Sequence, residues 1–106
     1  MPDPRVTRFT QLLASAPENV LFRFSLAQAL DNAGEPAAAV PHYRQCADAK
    51  ADWMMPRILL GKALLKLGET SAARLALKEA HALAVAQNHE DPEAELRLLL
   101  AELDQA

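Results

Sequence analysis

The chain has 106 residues and a formal net charge of −3, one domain's worth of sequence and enough to bury a modest core without staples. Its 51% hydrophobic content excludes a disordered chain, and so mild an acidity argues against a general affinity for nucleic acid or anionic membrane. Cys46 is the only cysteine, so no internal disulfide is expected.

Alanine and leucine dominate while β-branched residues and glycine are scarce, a balance that favours helices. The segment MPDPRVTRFTQ lacks the apolar stretch of a signal peptide, and no apolar run approaches the ~20 residues that span a bilayer. A cytoplasmic protein is the expectation.

Six helices are predicted in chain order. The first runs from about Pro4 to Ser15, with Val6, Phe9, Leu12 and Leu13 at helical spacing, and Pro17 closes it. Asn19 is the predicted N-cap of a second helix reaching about Ala33, where Gly34 supplies a left-handed C-cap. Pro36 suits the first turn of a third helix that runs to about Lys50. Asp52 is the predicted cap of a fourth helix ending at Gly68, although Pro56 suggests a later start. Thr70 is expected to cap an alanine-rich fifth helix to about Gln87, and Asp91-Pro92 to open a sixth. Pro41 falls inside the third helix, where it removes a hydrogen bond and should bend the chain or cost ~3 kcal/mol.

One stretch of this series repeats. Leu26–Ala39 (LAQALDNAGEPAAA) and Leu60–Ala73 (LGKALLKLGETSAA) match at seven of fourteen positions, without a gap, at the constant offset that separates Leu26 from Leu60. The short connections between predicted helices force neighbours antiparallel, so each copy is a helical hairpin that cannot bury its apolar face alone. The second copy completes the core of the first.

The spacing of these residues resembles the tetratricopeptide repeat family, whose 34-residue pattern is W-x2-L-G-x2-Y, then A-x3-F, then P. The first copy reads Arg23-x2-Leu26-Ala27-x2-Leu30 and Ala39-x3-Tyr43. The second reads Arg57-x2-Leu60-Gly61-x2-Leu64 and Ala73-x3-Leu77. Arginine replaces the family's tryptophan in both copies, and Ala51 and Val85 replace its closing prolines. One repeat length before Tyr43 stands Phe9, so the first helix resembles half a repeat. One repeat length after Leu64 stands Leu98, in register with a last, capping helix.

The resemblance implies an all-α fold: antiparallel helical hairpins stacked as a short right-handed superhelix. Residues 1–17 would be an N-terminal half-repeat, 20–53 and 54–87 two full repeats, and 88–106 a C-terminal cap. It also implies a concave face, lined by the first helix of each repeat, that binds a peptide or helix of a partner protein.

The residues themselves point to the same face. In the second helix Arg23, Leu26, Ala27 and Leu30 face the hairpin partner, while Phe22, Ala29 and Ala33 can face the next repeat. Leu21, Phe24, Gln28, Asp31 and Asn32 are left over. The equivalent set in the fourth helix is Met55, Ile58, Lys62, Leu65 and Lys66. Both sets begin apolar and turn polar, the pattern of a groove unless an end helix folds over it. The candidate groove is therefore Leu21, Phe24, Gln28, Asn32, Met55, Ile58, Lys62, Leu65 and Lys66.

Charge suggests a second expectation. Residues 54–89 hold five basic and two acidic side chains, while residues 90–106 hold one and six. The acidic last helix of one copy could meet the basic fourth and fifth helices of another, making a homodimer.

Chemistry looks thin elsewhere. His42 and Cys46 lie four positions apart on one helix, but no further ligand stands at a useful spacing, so no metal is expected. His81 shares a stripe with Arg74 and Lys78 that reads as solvent-facing. Trp53 reads as a cover for a helix end. Phosphate loops, nucleophile elbows and zinc spacings are absent from the sequence, so neither an enzyme nor a cofactor is expected.

Overall fold

A computed structural model describes residues 3–105. It consists of α1 (Pro4–Ser15), α2 (Val20–Asn32), α3 (Pro36–Ala49), α4 (Met54–Lys66), α5 (Thr70–Ala86) and α6 (Glu90–Gln105), with no strand among the described residues. Each helix packs on the next in sequence, giving a body of 41 × 28 × 20 Å. The architecture is the expected all-α stack of hairpins.

The short connections are closed by backbone geometry. Gly34 and Gly68 adopt φ of 82° and 75°, where an L side chain is strained. Each puts the next residue's amide back on the helix it ends: Glu35 donates to Leu30 and Glu69 to Leu64. Asn88 performs the same turn after α5 at φ 57°, with His89 donating to Ala84. At the helix starts, Asp3 accepts from Arg5 at 2.8 Å and Asn19 from Leu21 and Phe22 at 3.0 Å each.

Three of the expected caps lie elsewhere. Trp53, not Asp52, is the N-cap of α4, and no side-chain bond caps it. Glu69 precedes α5, so Thr70 is its first helical residue. The last helix begins at Glu90, ahead of the Asp91-Pro92 pair. The prolines explain part of this. Pro56 is the third residue of α4 and Pro92 the third of α6, where an amide has no intrahelical acceptor to lose. Pro41 sits farther in, yet α3 runs unbroken, because the lost bond concerns the exposed first-turn residue Ala37.

The core has two parts. The larger gathers Leu26, Ala27, Leu30, Ala39, Tyr43, Leu60 and Leu64, with Phe9 of α1 packed against them. The smaller gathers Met54, Ile58, Leu77, Ala80, Ala84 and Leu96. Close helix crossing accounts for the small residues of the repeat. A Cβ on Gly61 would lie 2.5 Å from Leu77 Cδ2, and Ala27, Ala39 and Ala73 are fully buried.

The arginines in the tryptophan positions tie each hairpin to the helix before it. Arg57 Nη2 donates to the Ala47 and Ala51 carbonyls at the end of α3, while its Nη1 pairs with Glu79 of α5. Arg23 reaches the Pro17 carbonyl after α1 and His42 of α3. They satisfy carbonyls that a helix end leaves open.

The register of the last helix differs from the expected one. Leu98 is 59% exposed and Leu96 is wholly buried. The cause is the greater length of α5, which exceeds α3 by nearly one helical turn. In consequence α6 follows α4 at an offset of 36, from Met54 to Glu90, two more than the repeat. That offset pairs Pro56 with Pro92, Leu60 with Leu96, Leu64 with Leu100 and Leu67 with Leu103.

Candidate functional site

The same face of α2, α4 and α6 is connected by three side-chain contacts. The ring of Phe24 on α2 lies 4.7 Å from that of Trp53 at the start of α4. Lys66 of α4 donates to Asp31 of α2 at 2.7 Å. Lys62 of α4 donates to Glu95 of α6 at 2.7 Å.

The face divides by polarity. At the helix starts Leu21 is 59% and Met55 45% exposed, one turn before Phe24 and Ile58 respectively. Phe24 is half-buried between Trp53 and the ring of Tyr43, whose centroid is 6.1 Å away. Lys50 sits over the Trp53 ring at 5.6 Å. A shallow notch of about 270 Å³ continues this apolar end toward α6, lined by Trp53, Met54, Met55 and Pro92 with Gln87 and His89 at its edge.

The other end is polar. Asp31 is a nearly buried carboxylate that accepts from Tyr43 Oη at 3.1 Å as well as from Lys66. Burial, then the Asp31 charge, push the Tyr43 hydroxyl well above its ordinary pKa, so it stays a donor. Gln28 and Asn32 border a depression of about 310 Å³ between α1 and α2, with Arg5, Phe9 and Ser25.

Of the nine candidate groove residues, Leu21, Met55, Asn32 and Lys66 are exposed, and Phe24, Gln28, Lys62 and Leu65 are partly so. Ile58 is not an open groove residue. It is 7% exposed and packs with Leu77, Ala80 and Leu96, because α6 folds over it. Lys62 is held by the same helix. Three residues outside the candidate set contact it: Trp53, which reads in the sequence as a helix cover; Asp31, adjacent to Asn32 on the leftover face; and Glu95, in the expected cap. The position of the only tryptophan, two residues before the second apolar set, is the signal that marks the first of them.

The remaining polar groups have structural partners. His42 Nδ1 lies 3.1 Å from the Arg23 guanidinium, and burial, then the Arg23 charge, lower the imidazole pKa. Cys46 is buried with Sγ 3.7 Å from the Val20 carbonyl, and burial raises its thiol pKa to about 11. No group of three or more metal-ligating side chains is found among the described residues, nor a helix long and apolar enough to cross a membrane. His81 is not solvent-facing as its stripe suggests, since Nε2 lies 2.7 Å from Glu93 of α6.

Stacked antiparallel hairpins with an apolar-to-polar face on the first helix of each pair define a helical-repeat protein. Comparison with known proteins names the repeat. A TPR repeat-containing protein of Pseudomonas aeruginosa is 30% identical over 96 residues, spanning 91% of both chains. The chain belongs to the tetratricopeptide repeat family. No family model matches it. Among solved structures, a Bordetella parapertussis protein superposes with a TM-score of 0.81 at 28% identity, over 99% of this chain and 90% of that one. PcrH of Pseudomonas aeruginosa, in complex with the chaperone binding region of PopD, superposes with a TM-score of 0.86 at 21% identity, over 94% and 76%.

Proposed function

We propose that the chain is a non-catalytic interaction module that holds a peptide or helix of a partner protein against α2 and the start of α4. One observation carries the reading: Leu21 and Met55, equivalent positions of the two repeats, are both exposed on a face that also offers the half-buried Phe24 and Trp53 rings. Leaving large apolar groups in water is unfavourable at about 25 cal/mol per Å², so their equivalent exposure in two repeats fits a shared contact surface. Aromatic and methionine side chains also suit adaptable recognition. PcrH, of similar fold, is seen with a segment of PopD, which agrees with a module of this shape holding a segment of another protein.

The test is affinity capture from native extract with wild type, the double variant Leu21→Asp/Met55→Asp, and Leu75→Asp on α5 as an exposed control. Partners retained by wild type and Leu75→Asp should be lost from the double variant. Retention by all three overturns the reading. The homodimer alternative would require α6 to leave the α4 and α5 charges of its own chain. Three of its acidic groups are engaged within the chain, Glu95 by Lys62, Glu93 by His81 and Asp104 by Arg74.

A further inference from the structure

The equivalent faces of α2 and α4 are not equally open. Phe24 is half-exposed, yet Ile58, its equivalent in the second repeat, is covered, and Lys62 is engaged by Glu95 where the equivalent Gln28 borders an open depression. The cover is α6, which presents leucines at helical spacing, Leu96, Leu99, Leu100 and Leu103, to Ile58, Leu77, Ala80 and Ala84. Only Leu96 of α6 is fully buried. Leu99, Leu100 and Leu103 are only partly buried, and the rest of the attachment is electrostatic. Lys62–Glu95 spans 2.7 Å, His81–Glu93 2.7 Å and Arg74–Asp104 3.3 Å, and Arg74 also donates to the Leu103 carbonyl. Lys62–Glu95 is solvent-exposed on both sides, as are the carboxylate of Asp104 and, in part, His81–Glu93, and pairs that water reaches contribute little each and weaken with salt. A terminal helix so attached opens at lower cost than the hairpins between which the main core lies.

We propose that the surface beneath α6 is a second docking site, for an acidic amphipathic helix bearing leucines at i, i+3, i+4 and i+7, and that α6 fills it in the free chain. The seated helix shows what the surface accepts: leucines over Ile58 and Ala80, and carboxylates opposite Lys62, Arg74 and His81. A partner helix of that chemistry exchanges with α6 and joins Ile58 and Lys62 to the open half of the face. This rests on the interaction-module reading. Its test leaves Leu21 and Met55 untouched, so the two can fail separately.

The probe is a fluorescent synthetic peptide of residues 89–105, added to the full chain and to a Glu93→Gln/Glu95→Gln variant. Hydrogen exchange of both proteins is followed alongside. The two substitutions weaken the resident helix and, being on partly or fully exposed groups, leave the hairpins folded, which protection of α2 and α3 amides verifies. The expected result is peptide binding about threefold tighter to the variant than to wild type, reduced by raising salt. A peptide with its glutamates replaced by lysine should not bind. The α6 amides should lose protection in the variant while α2–α5 amides keep theirs. The proposal is overturned if the variant takes the peptide no better than wild type, or if α6 exchanges only together with α2–α5.

Discussion

Lys66 Nζ and Asp31 Oδ1 stand 2.7 Å apart, joining the last turn of α4 to the last turn of α2. The carboxylate is 8% exposed and the ammonium 56%, so the pair has a dry end and a wet end. Its second oxygen accepts from the buried Tyr43, which makes Asp31 the link between the hairpin α2–α3 and the next one.

Replacing Asp31 by alanine therefore strands the Tyr43 hydroxyl in the core. The expected loss is about 1–3 kcal/mol in urea denaturation, the cost of an unsatisfied buried group. Lys66→Ala should cost less than Asp31→Ala, because water can reach Asp31 Oδ1 through the space that the exposed lysine leaves and Tyr43 keeps its acceptor. Tyr43→Phe in the Asp31→Ala background should recover part of the loss, and a double-mutant cycle measures it. Equal effects of Asp31→Ala and Lys66→Ala would sink this account.

Gly61→Ala sets two effects against each other. Helix propensity favours alanine by about 1 kcal/mol, whereas the new methyl would enter the space of Leu77, which is fully buried and has little room to give. Overpacking of a tight core costs about 1–3 kcal/mol, so the net change should be destabilising by about 1 kcal/mol. Thermal unfolding of Gly61→Ala beside Gly68→Ala separates packing from conformation, since a Cβ on Gly68 meets nothing within 4 Å and only its φ of 75° resists.

Much of the fold could be read from the sequence because the repeat states it twice. Gly34 and Gly68 end their helices alike, and Ala39 and Ala73 fill the same buried slot. The period failed at α6, where a longer α5 moved the offset to 36 and exchanged the places of Leu98 and Leu96. The candidate site was half legible for a related reason. Position within a repeat predicts which way a side chain points, but not what packs over it. Leu21 and Met55 remained open, whereas Ile58 met a neighbour that Phe24 lacks.

That contrast is measurable. Ile58→Asp buries a charge among Leu77, Ala80 and Leu96 and should destabilise by about 3 kcal/mol or more. Met55→Asp, one turn earlier on the same helix and 45% exposed, should change stability by no more than about 0.5 kcal/mol. Circular dichroism during urea titration distinguishes them. A folded, unperturbed Ile58→Asp protein would mean that α6 does not cover the position.

Acid should weaken the protein in two steps of known sign. His42 is less basic when folded than its ordinary 6.5, because burial and then the Arg23 charge disfavour the imidazolium. The unfolded chain therefore takes the proton first, and stability falls as pH drops from 6.5 toward the lower folded value. Glu93 is more acidic when folded than its ordinary 4.5, chiefly through its bond to His81, so its contribution is present above 4.5 and lost below. The urea midpoint of wild type minus that of His42→Gln should shrink between pH 7.5 and 5.5, and a constant difference would refute the first step.

Asn88 offers a gain. It turns the chain from α5 into α6 at φ 57°, the conformation Gly34 and Gly68 adopt after α2 and α4. Asparagine tolerates the left-handed region better than most residues, yet glycine does so without a Cβ penalty. The His89-to-Ala84 bond at 2.9 Å that closes the turn is a backbone contact and survives the change. Asn88→Gly should therefore stabilise α6 by up to about 1 kcal/mol, offset in part by the greater freedom of glycine in the unfolded chain. Because the turn leads into a terminal helix with a single fully buried residue, the gain should appear as slower hydrogen exchange in α6 before it appears in the global midpoint. Faster α6 exchange in Asn88→Gly would show that the asparagine side chain itself holds the turn.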